Sequence, residues 1–198
     1  LIQKRSKAYK DHTDHQVHSK IRTPQVAVKA VEKALELSCM YEVPIYLLHI
    51  STVEELALIE QAKEQGVEVY AETTPHHLFL NTDDYRTLHG RVQMNPPIRE
   101  RVHQEALFEA IRSGVIDTIG SDHAPHTEEE KDQAYGKTPS GVPGIETTLP
   151  LLLNAVNEGQ LELSHVASLT RWRPIEILNL EDNMDYVLVD MNHQAKVN

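Results

Sequence analysis

Four short strand-like segments alternate with helical segments along this chain, and this alternation constrains the fold more than any other feature. The predicted strands span residues 43–50, 67–73, 91–95 and 115–120. Strands that alternate with helices form a parallel sheet with the helices packed outside it. The pattern therefore predicts an α/β fold of four βα units, either half of an eightfold barrel or an open sheet of four or five strands.

Residues that start and stop helices bound the predicted helices. Thr23-Pro24 opens a helix that reaches about residue 41, and Ser51 or Thr52 caps a second helix that ends at Gly66. Further helices are predicted over 101–113, 145–156, 164–170 and 174–179, and a last strand over 185–190. Residues 1–22 are polar and lack a clear period, so they are predicted to form a solvated surface segment. The segment 43–50 is almost continuously apolar, which predicts a strand buried on both faces.

Composition excludes several classes of protein. The net charge of −11 argues against nucleic-acid binding, which needs a basic surface. The single cysteine excludes an internal disulfide and indicates a reducing compartment. No apolar run approaches the roughly 20 residues of a membrane span, and the sequence lacks Gly-x-Gly-x-x-Gly, Walker A and Gly-x-Ser-x-Gly motifs. A cytoplasmic protein that contacts neither membrane nor nucleic acid is expected.

Polar side chains follow each predicted strand. The strand ends carry His49; Glu72 with His76 and His77; Asn95; and Asp122 with His123 and His126. The carboxyl ends of parallel strands converge on the active site, and imidazole with carboxylate suits zinc, manganese or iron. Each residue also has a structural explanation: a hydrogen-bonded histidine, an aspartate that caps a turn, or an asparagine in a turn. If the chain is extended at His76 and His77, at most one of them faces the site.

Five motifs occur in an order that resembles the dihydroorotases of the amidohydrolase superfamily. They are Leu47–Thr52, Ala71–Leu78, Met94–Arg99, Gly120–His126 and Ser140–Thr147. The combination of Asn-Pro-Pro-Ile-Arg with Asp-His-Ala-Pro-His is specific, and the resemblance covers roughly residues 18–190. Allantoinases, hydantoinases and dihydropyrimidinases share the scaffold but usually differ at both of these motifs.

The resemblance implies a (β/α)₈ TIM barrel that holds one or two Zn²⁺ ions. Residues 1–180 would supply strands six to eight with their flanking helices, and residues 181–198 would begin the return to a small β-sandwich. His49 matches a metal ligand at the end of the sixth strand. Asp122 matches a residue of the eighth strand that binds metal and transfers protons.

The remaining matches concern substrate. Asn95 matches a residue that contacts the dihydropyrimidine ring, and His126 matches one that contacts the substrate, with its carboxylate as the expected partner. Ser140 and Gly141 match a backbone contact in the loop after the eighth strand. The implied reaction is the reversible cyclisation of N-carbamoyl-L-aspartate to dihydroorotate in pyrimidine synthesis, with Asp122 as the catalytic residue.

The His-x-His pair of the family and its bridging ligand are absent from these 198 residues. His49 and Asp122 are two ligands, whereas a catalytic zinc normally takes three from the protein. The chain thus resembles the C-terminal half of a dihydroorotase and is expected to be inactive by itself. Two alternatives are another cyclic amidase and a non-catalytic subunit that supports aspartate transcarbamoylase. A homo-oligomer is expected, and the polar loop 127–139 is interpreted as a solvated loop in preference to a lid.

Overall fold

A computed structural model describes residues 1–182 and 184–193 of the protein. The strands are β1 (Ile45–Leu47), β2 (Val69–Thr73) and β3 (Thr118–Ile119). The α-helices are α1 (Ile2–Ala8), α2 (Val17–Ile21), α3 (Pro24–Tyr41), α4 (Val53–Glu64), α5 (Pro75–Phe79), α6 (Tyr85–Leu88), α7 (Arg101–Ser113), α8 (Glu128–Lys131), α9 (Ile145–Asn157), α10 (Leu163–Ala167) and α11 (Arg173–Leu178). Shorter 3₁₀ turns span Thr82–Asp84 and His89–Val92, and a π-helical turn, Ser168–Trp172, joins α10 to α11.

The three strands form one parallel sheet in the order β1-β2-β3. Ile45 pairs with Val69, and Glu72 pairs with Thr118. This arrangement confirms the predicted α/β fold with a parallel sheet. The predicted strand over 91–95 is wrong, because Gln93 pairs with a loop rather than with the sheet. Its carbonyl oxygen accepts hydrogen bonds from the Gly141 amide at 3.0 Å and the Lys131 ammonium at 2.9 Å.

The main apolar core lies between one face of the sheet and the helices. It contains Leu47 and Ala71 from the strands together with Ile59, Leu107 and Leu152 from α4, α7 and α9, all almost fully buried. The core forms because apolar residues recur at helical spacing on the helices and at alternate positions on the strands.

The opposite face of the sheet is polar. The Tyr46 hydroxyl donates a hydrogen bond to the Glu72 carboxylate at 2.9 Å and contacts the Thr118 hydroxyl. Burial raises the pKa of Tyr46 to about 12. The prediction that segment 43–50 is buried on both faces is therefore wrong for one face, where Tyr46 is half-buried and hydrogen-bonded and Leu48 is 55% exposed.

The N-terminal segment is more ordered than predicted. Residues 1–22 contain α1 and α2, and both His15 and His18 are buried. The prediction of a uniformly solvated segment is therefore wrong. The short helix α2 buries Val17 and Ile21. Burial of these apolar side chains also places His18 of α2 and the preceding His15 in the interior. His15 Nε2 lies 2.9 Å from the Thr138 hydroxyl.

The C-terminal prediction is only partly open to comparison, since residues 183 and 194–198 lie outside the described residues. No strand forms within the described part of 181–198, so the predicted strand at 185–190 is not observed. These residues are exposed and pair with no other strand in the described chain. The domain boundary between residues 180 and 181 stays a prediction. In the described ranges, no helix combines the length and apolar character needed to span a membrane.

Candidate functional site

His49 lies just beyond the carboxyl end of β1, in a turn attached to β2. The Ile50 amide donates to the Glu72 carbonyl at 2.7 Å, and the Thr73 hydroxyl donates to the Ile50 carbonyl at 2.9 Å. His49 has φ of +43°, which is uncommon for a residue other than glycine. Strained backbone of this kind concentrates at functional sites, where the surrounding structure holds it in place.

A buried polar cluster supports the turn that carries His49. Thr52 caps α4 by accepting a hydrogen bond from the Glu55 amide, as the sequence predicted. One oxygen of the buried Glu55 carboxylate accepts from the Ser51 amide, the Ser51 hydroxyl and the Thr52 hydroxyl at 2.9–3.1 Å. Arg99 Nε donates to the Ser51 hydroxyl at 3.3 Å, and burial lowers the pKa of Arg99. The cluster joins the His49 motif to the Asn-Pro-Pro-Ile-Arg motif.

Asp122 lies beyond the carboxyl end of β3, at the same edge of the sheet as His49 after β1. Its φ is +42°, so both predicted metal ligands share the same uncommon backbone conformation. Burial raises the pKa of the Asp122 carboxyl, and the nearby His49 opposes this shift. The same His49 side chain contributes to the lowered pKa of His76. The structure therefore brings His49, His76 and Asp122 to one edge of the sheet.

His76 is the residue of this group that the sequence placed at a strand end without assigning it a role in the site. Its Nε2 lies 3.7 Å from the Asp122 carboxylate, is buried, and has no hydrogen-bond partner among the described residues. Burial lowers its pKa to about 4. His76 and His77 are helical rather than extended, because Thr74 caps α5 and Pro75 occupies its first turn. The Thr-Pro pair was the available signal for a helix start.

His77 lies beside His76, but both of its ring nitrogens are occupied by hydrogen bonds, so it has a structural role. Its Nδ1 lies 2.7 Å from the Thr74 hydroxyl, and its Nε2 lies 3.0 Å from the Pro96 carbonyl. His123 also has a structural role, since its Nδ1 accepts hydrogen bonds from the Gly144 and Ile145 amides at the start of α9.

Asn95 and His49 line the same cavity, which has a volume of about 520 Å³. The cavity lies between α3 and β1, and its walls include Tyr46 and Arg99. Asn95 precedes a cis peptide bond to Pro96. The structure thus places one predicted substrate-contacting residue beside one predicted metal ligand.

The other predicted substrate contacts lie on two paired loops. Ser140 lines a second cavity of about 360 Å³ together with His18 and Arg22. Gly141 is buried, and its amide donates to the Gln93 carbonyl at 3.0 Å. His126 is exposed, lies 3.6 Å from the Glu130 carboxylate, and lines neither of the two cavities.

The loop 127–139 is largely exposed, but two buried side chains anchor it: Lys131, and Thr138, whose hydroxyl lies 2.9 Å from His15 Nε2. Lys131 is buried, and its ammonium donates to the carbonyl oxygens of Gln93, Pro139 and Gly141 at 2.8–3.0 Å. Burial lowers the pKa of Lys131 to about 8. The solvated-loop interpretation fits most of this segment. The exceptions are Thr138 and Lys131, and the Lys131 ammonium attaches the loop to the backbone at Gln93 and Gly141.

Gly141 is required where the Gly120–His126 motif packs against the Ser140–Thr147 motif. A Cβ at this position would lie 2.5 Å from the Ala124 carbonyl oxygen, and its φ is +141°. Gly141→Ala is expected to destabilise the protein by about 1–3 kcal/mol, because backbone must move to relieve the overlap. The control is Gly159→Ala, where φ is +72° and nothing lies within 4 Å of the added carbon. Denaturant unfolding measures both changes, and equal losses would contradict the steric explanation.

The donor types at this edge of the sheet fit part of a zinc site. His49 and Asp122 supply an imidazole and a carboxylate. Beside Asp122, the buried His76 Nε2 has no hydrogen-bond partner among the described residues, which indicates room there for a polar ligand. Within residues 1–182 and 184–193, no three His, Cys, Asp or Glu side chains are placed to hold a metal ion together. The donors are thus suitable in kind and incomplete in number.

Known proteins provide an independent comparison. No family model matches the chain. The chain is 39% identical over 198 residues to the dihydroorotase of Halobacterium salinarum, a match that covers 96% of this chain and 46% of that protein. It superposes on the L-hydantoinase (dihydropyrimidinase) of Arthrobacter aurescens with a TM-score of 0.87 and 30% identity, over 90% of this chain and 41% of the other. An inactive dihydroorotase-like domain of a Chaetomium thermophilum multifunctional protein superposes with a TM-score of 0.63 and 25% identity, over 78% of this chain and 42% of the other. The chain spans less than half of each relative.

Proposed function

This chain belongs to the dihydroorotase family of cyclic amidohydrolases, and on that premise we propose that it forms part of an enzyme that interconverts N-carbamoyl-L-aspartate and dihydroorotate. One observation carries the proposal. His49, His76 and Asp122 follow three neighbouring parallel strands and converge at the carboxyl edge of the sheet. Active sites of α/β enzymes form at that edge, and a structural aspartate cap would not need two histidines beside it.

His49 and Asp122 are the residues that would hold zinc. A zinc ion bound there would polarise the ring carbonyl and make water a better nucleophile. The Asp122 carboxylate would accept a proton from the attacking water and deliver it to the ring nitrogen as the amide carbon–nitrogen bond breaks. Water thereby adds one hydroxyl group to the carbonyl carbon and one proton to the nitrogen, which balances the hydrolysis.

Other residues would bind and orient the substrate. Asn95 shares a cavity with His49 and would contact the dihydropyrimidine ring. Ser140 and Gly141 would supply a backbone contact. His126 would contact the substrate carboxylate, which would require the loop that carries it to turn toward the cavity.

The relatives are consistent with a larger assembly. Residues 1–180 would provide strands six to eight of a (β/α)₈ barrel, and residues 181–198 would begin the return to a small β-sandwich. A cytoplasmic homo-oligomer, with aspartate transcarbamoylase as a further partner, extends the same proposal.

Two other functions have specific support. The hydantoinase from Arthrobacter aurescens superposes closely on the chain, which favours a cyclic amidase with another ring substrate. The likeness to the inactive Chaetomium thermophilum domain favours a non-catalytic subunit. Against the second function, both His49 and Asp122 are present and converge.

A substrate panel tests the proposal. We expect the complete enzyme, of which this chain is proposed to form part, to turn over dihydroorotate at least about a hundredfold faster than dihydrouracil, hydantoin or allantoin, because a site built for a charged substituent discriminates strongly against substrates that lack it. Turnover is measured in both directions with zinc supplied. Preference for an uncharged ring would favour a hydantoinase, and lack of turnover of all four rings would favour the non-catalytic subunit.

A further inference from the structure

His18 is a buried histidine that the proposed reaction does not use. It lies on α2 and is only 5% exposed, between the Tyr135 ring and the Met94–Asn95 backbone. Its Nε2 lies 2.9 Å from the Met94 carbonyl oxygen and 3.0 Å from Oδ1 of the Asn95 side chain. One ring nitrogen therefore contacts both the backbone and the side chain at the edge of the His49 cavity.

The partners of His18 determine its protonation. The Met94 carbonyl oxygen can only accept a hydrogen bond, so Nε2 must carry a proton and donate it to this oxygen. Burial lowers the pKa of His18 to about 4, which keeps the ring neutral at neutral pH. A neutral imidazole has a single N–H, and that proton lies on Nε2. The Asn95 atom beside Nε2 must then be the side-chain oxygen, because the amide NH₂ group can only donate a hydrogen bond and cannot accept the Nε2 proton.

The orientation of the Asn95 side chain follows from this contact. With Oδ1 held by His18, the amide NH₂ group is the part left to face the cavity that Asn95 shares with His49. No residue in the described ranges accepts a hydrogen bond from that NH₂ group. We propose that His18 is a positioning residue that fixes the Asn95 amide so that it presents a hydrogen-bond donor to a ring carbonyl or carboxylate oxygen of the substrate. This inference rests on the proposed function, because it assumes that Asn95 contacts substrate.

The tautomer of His18 is the first test, and it does not depend on activity. In the ¹⁵N-labelled protein, long-range ¹H–¹⁵N correlation spectra should show a protonated Nε2 and an unprotonated Nδ1 for His18. A proton on Nδ1 would overturn the inference, since Nε2 could then no longer donate to Met94 and the Asn95 amide would be free to reverse.

A double-mutant cycle tests whether His18 acts through Asn95. In the complete enzyme, His18→Leu should raise KM for dihydroorotate by about three- to tenfold with little change in kcat, which is the effect of one neutral hydrogen bond. His18→Gln keeps an N–H donor and should recover most of the loss. In the Asn95→Ala background, His18→Leu should change KM by less than about twofold.

The outcomes separate this inference from the proposed function. If Asn95→Ala raises KM and the two substitutions are additive, His18 only supports the backbone and the inference is overturned. If the complete wild-type enzyme fails to turn over dihydroorotate, the proposed function fails, while the tautomer still tests the orientation of Asn95. Should His18→Leu fail to fold, the His18→Gln variant and the tautomer measurement decide.

Discussion

Asp122→Asn in the complete enzyme should lower the turnover of dihydroorotate by about a hundredfold to ten-thousandfold, the range expected when a general acid–base group is lost. Asparagine has nearly the same size as aspartate but accepts no proton at neutral pH. The Asp122 carboxylate lies 3.7 Å from His76 Nε2 and close to His49, so its surroundings are those of a functional group rather than of a simple cap. Steady-state turnover, bound zinc and far-UV circular dichroism are measured together.

A matched control separates chemistry from surface charge. Asp83→Asn removes an exposed carboxylate that is paired with Arg86 at 3.4 Å and lines neither of the two cavities, and it should leave turnover unchanged. Near-normal turnover in Asp122→Asn would instead support the structural explanation, in which Asp122 only caps the loop and asparagine, also a good cap, replaces it.

Most of the helices were predictable because their end signals are local. Gly66 and Gly114 follow α4 and α7 with φ near +80°, a conformation that glycine adopts without strain. Strands were predicted less well because strand pairing is non-local. The segment 91–95 resembled a strand, but Gln93 bonds to the Gly141 loop, and no pattern within the segment indicates that partner.

The site was predictable in part for a similar reason. His49 and Asp122 follow apolar strands, and the parallel fold places such positions together. The sequence did not indicate which of His76 and His77 faces the site, because both lie in a helical turn, where the alternation expected of an extended chain does not apply. His18 was missed because its partner, Asn95, is 77 residues away in sequence.

Asp117 forms an ion cluster at the other end of β3 from Asp122. Its side chain is only 4% exposed and accepts hydrogen bonds from Lys63 Nζ at 2.6 Å, Arg173 Nη2 at 2.6 Å and the Ala71 amide at 2.8 Å. The cluster joins α4, β2 and α11 through one carboxylate. A buried carboxylate is stable only when it is paired and hydrogen-bonded, and all three contacts meet that requirement.

Asp117→Ala is accordingly expected to lower the free energy of unfolding by about 3 kcal/mol, because it leaves a buried amide without an acceptor and two cations without their carboxylate. Lys63 and Arg173 are partly exposed, so they can turn toward water, which places the loss at the lower end of the range for a broken buried pair. The control is Glu109→Ala, which removes an ion pair with Arg112 of the same 2.6 Å length on the exposed face of α7. That surface pair should contribute only about 0–1 kcal/mol. Both variants are compared by urea unfolding at neutral pH, and similar losses would mean that burial does not determine the contribution of the Asp117 cluster.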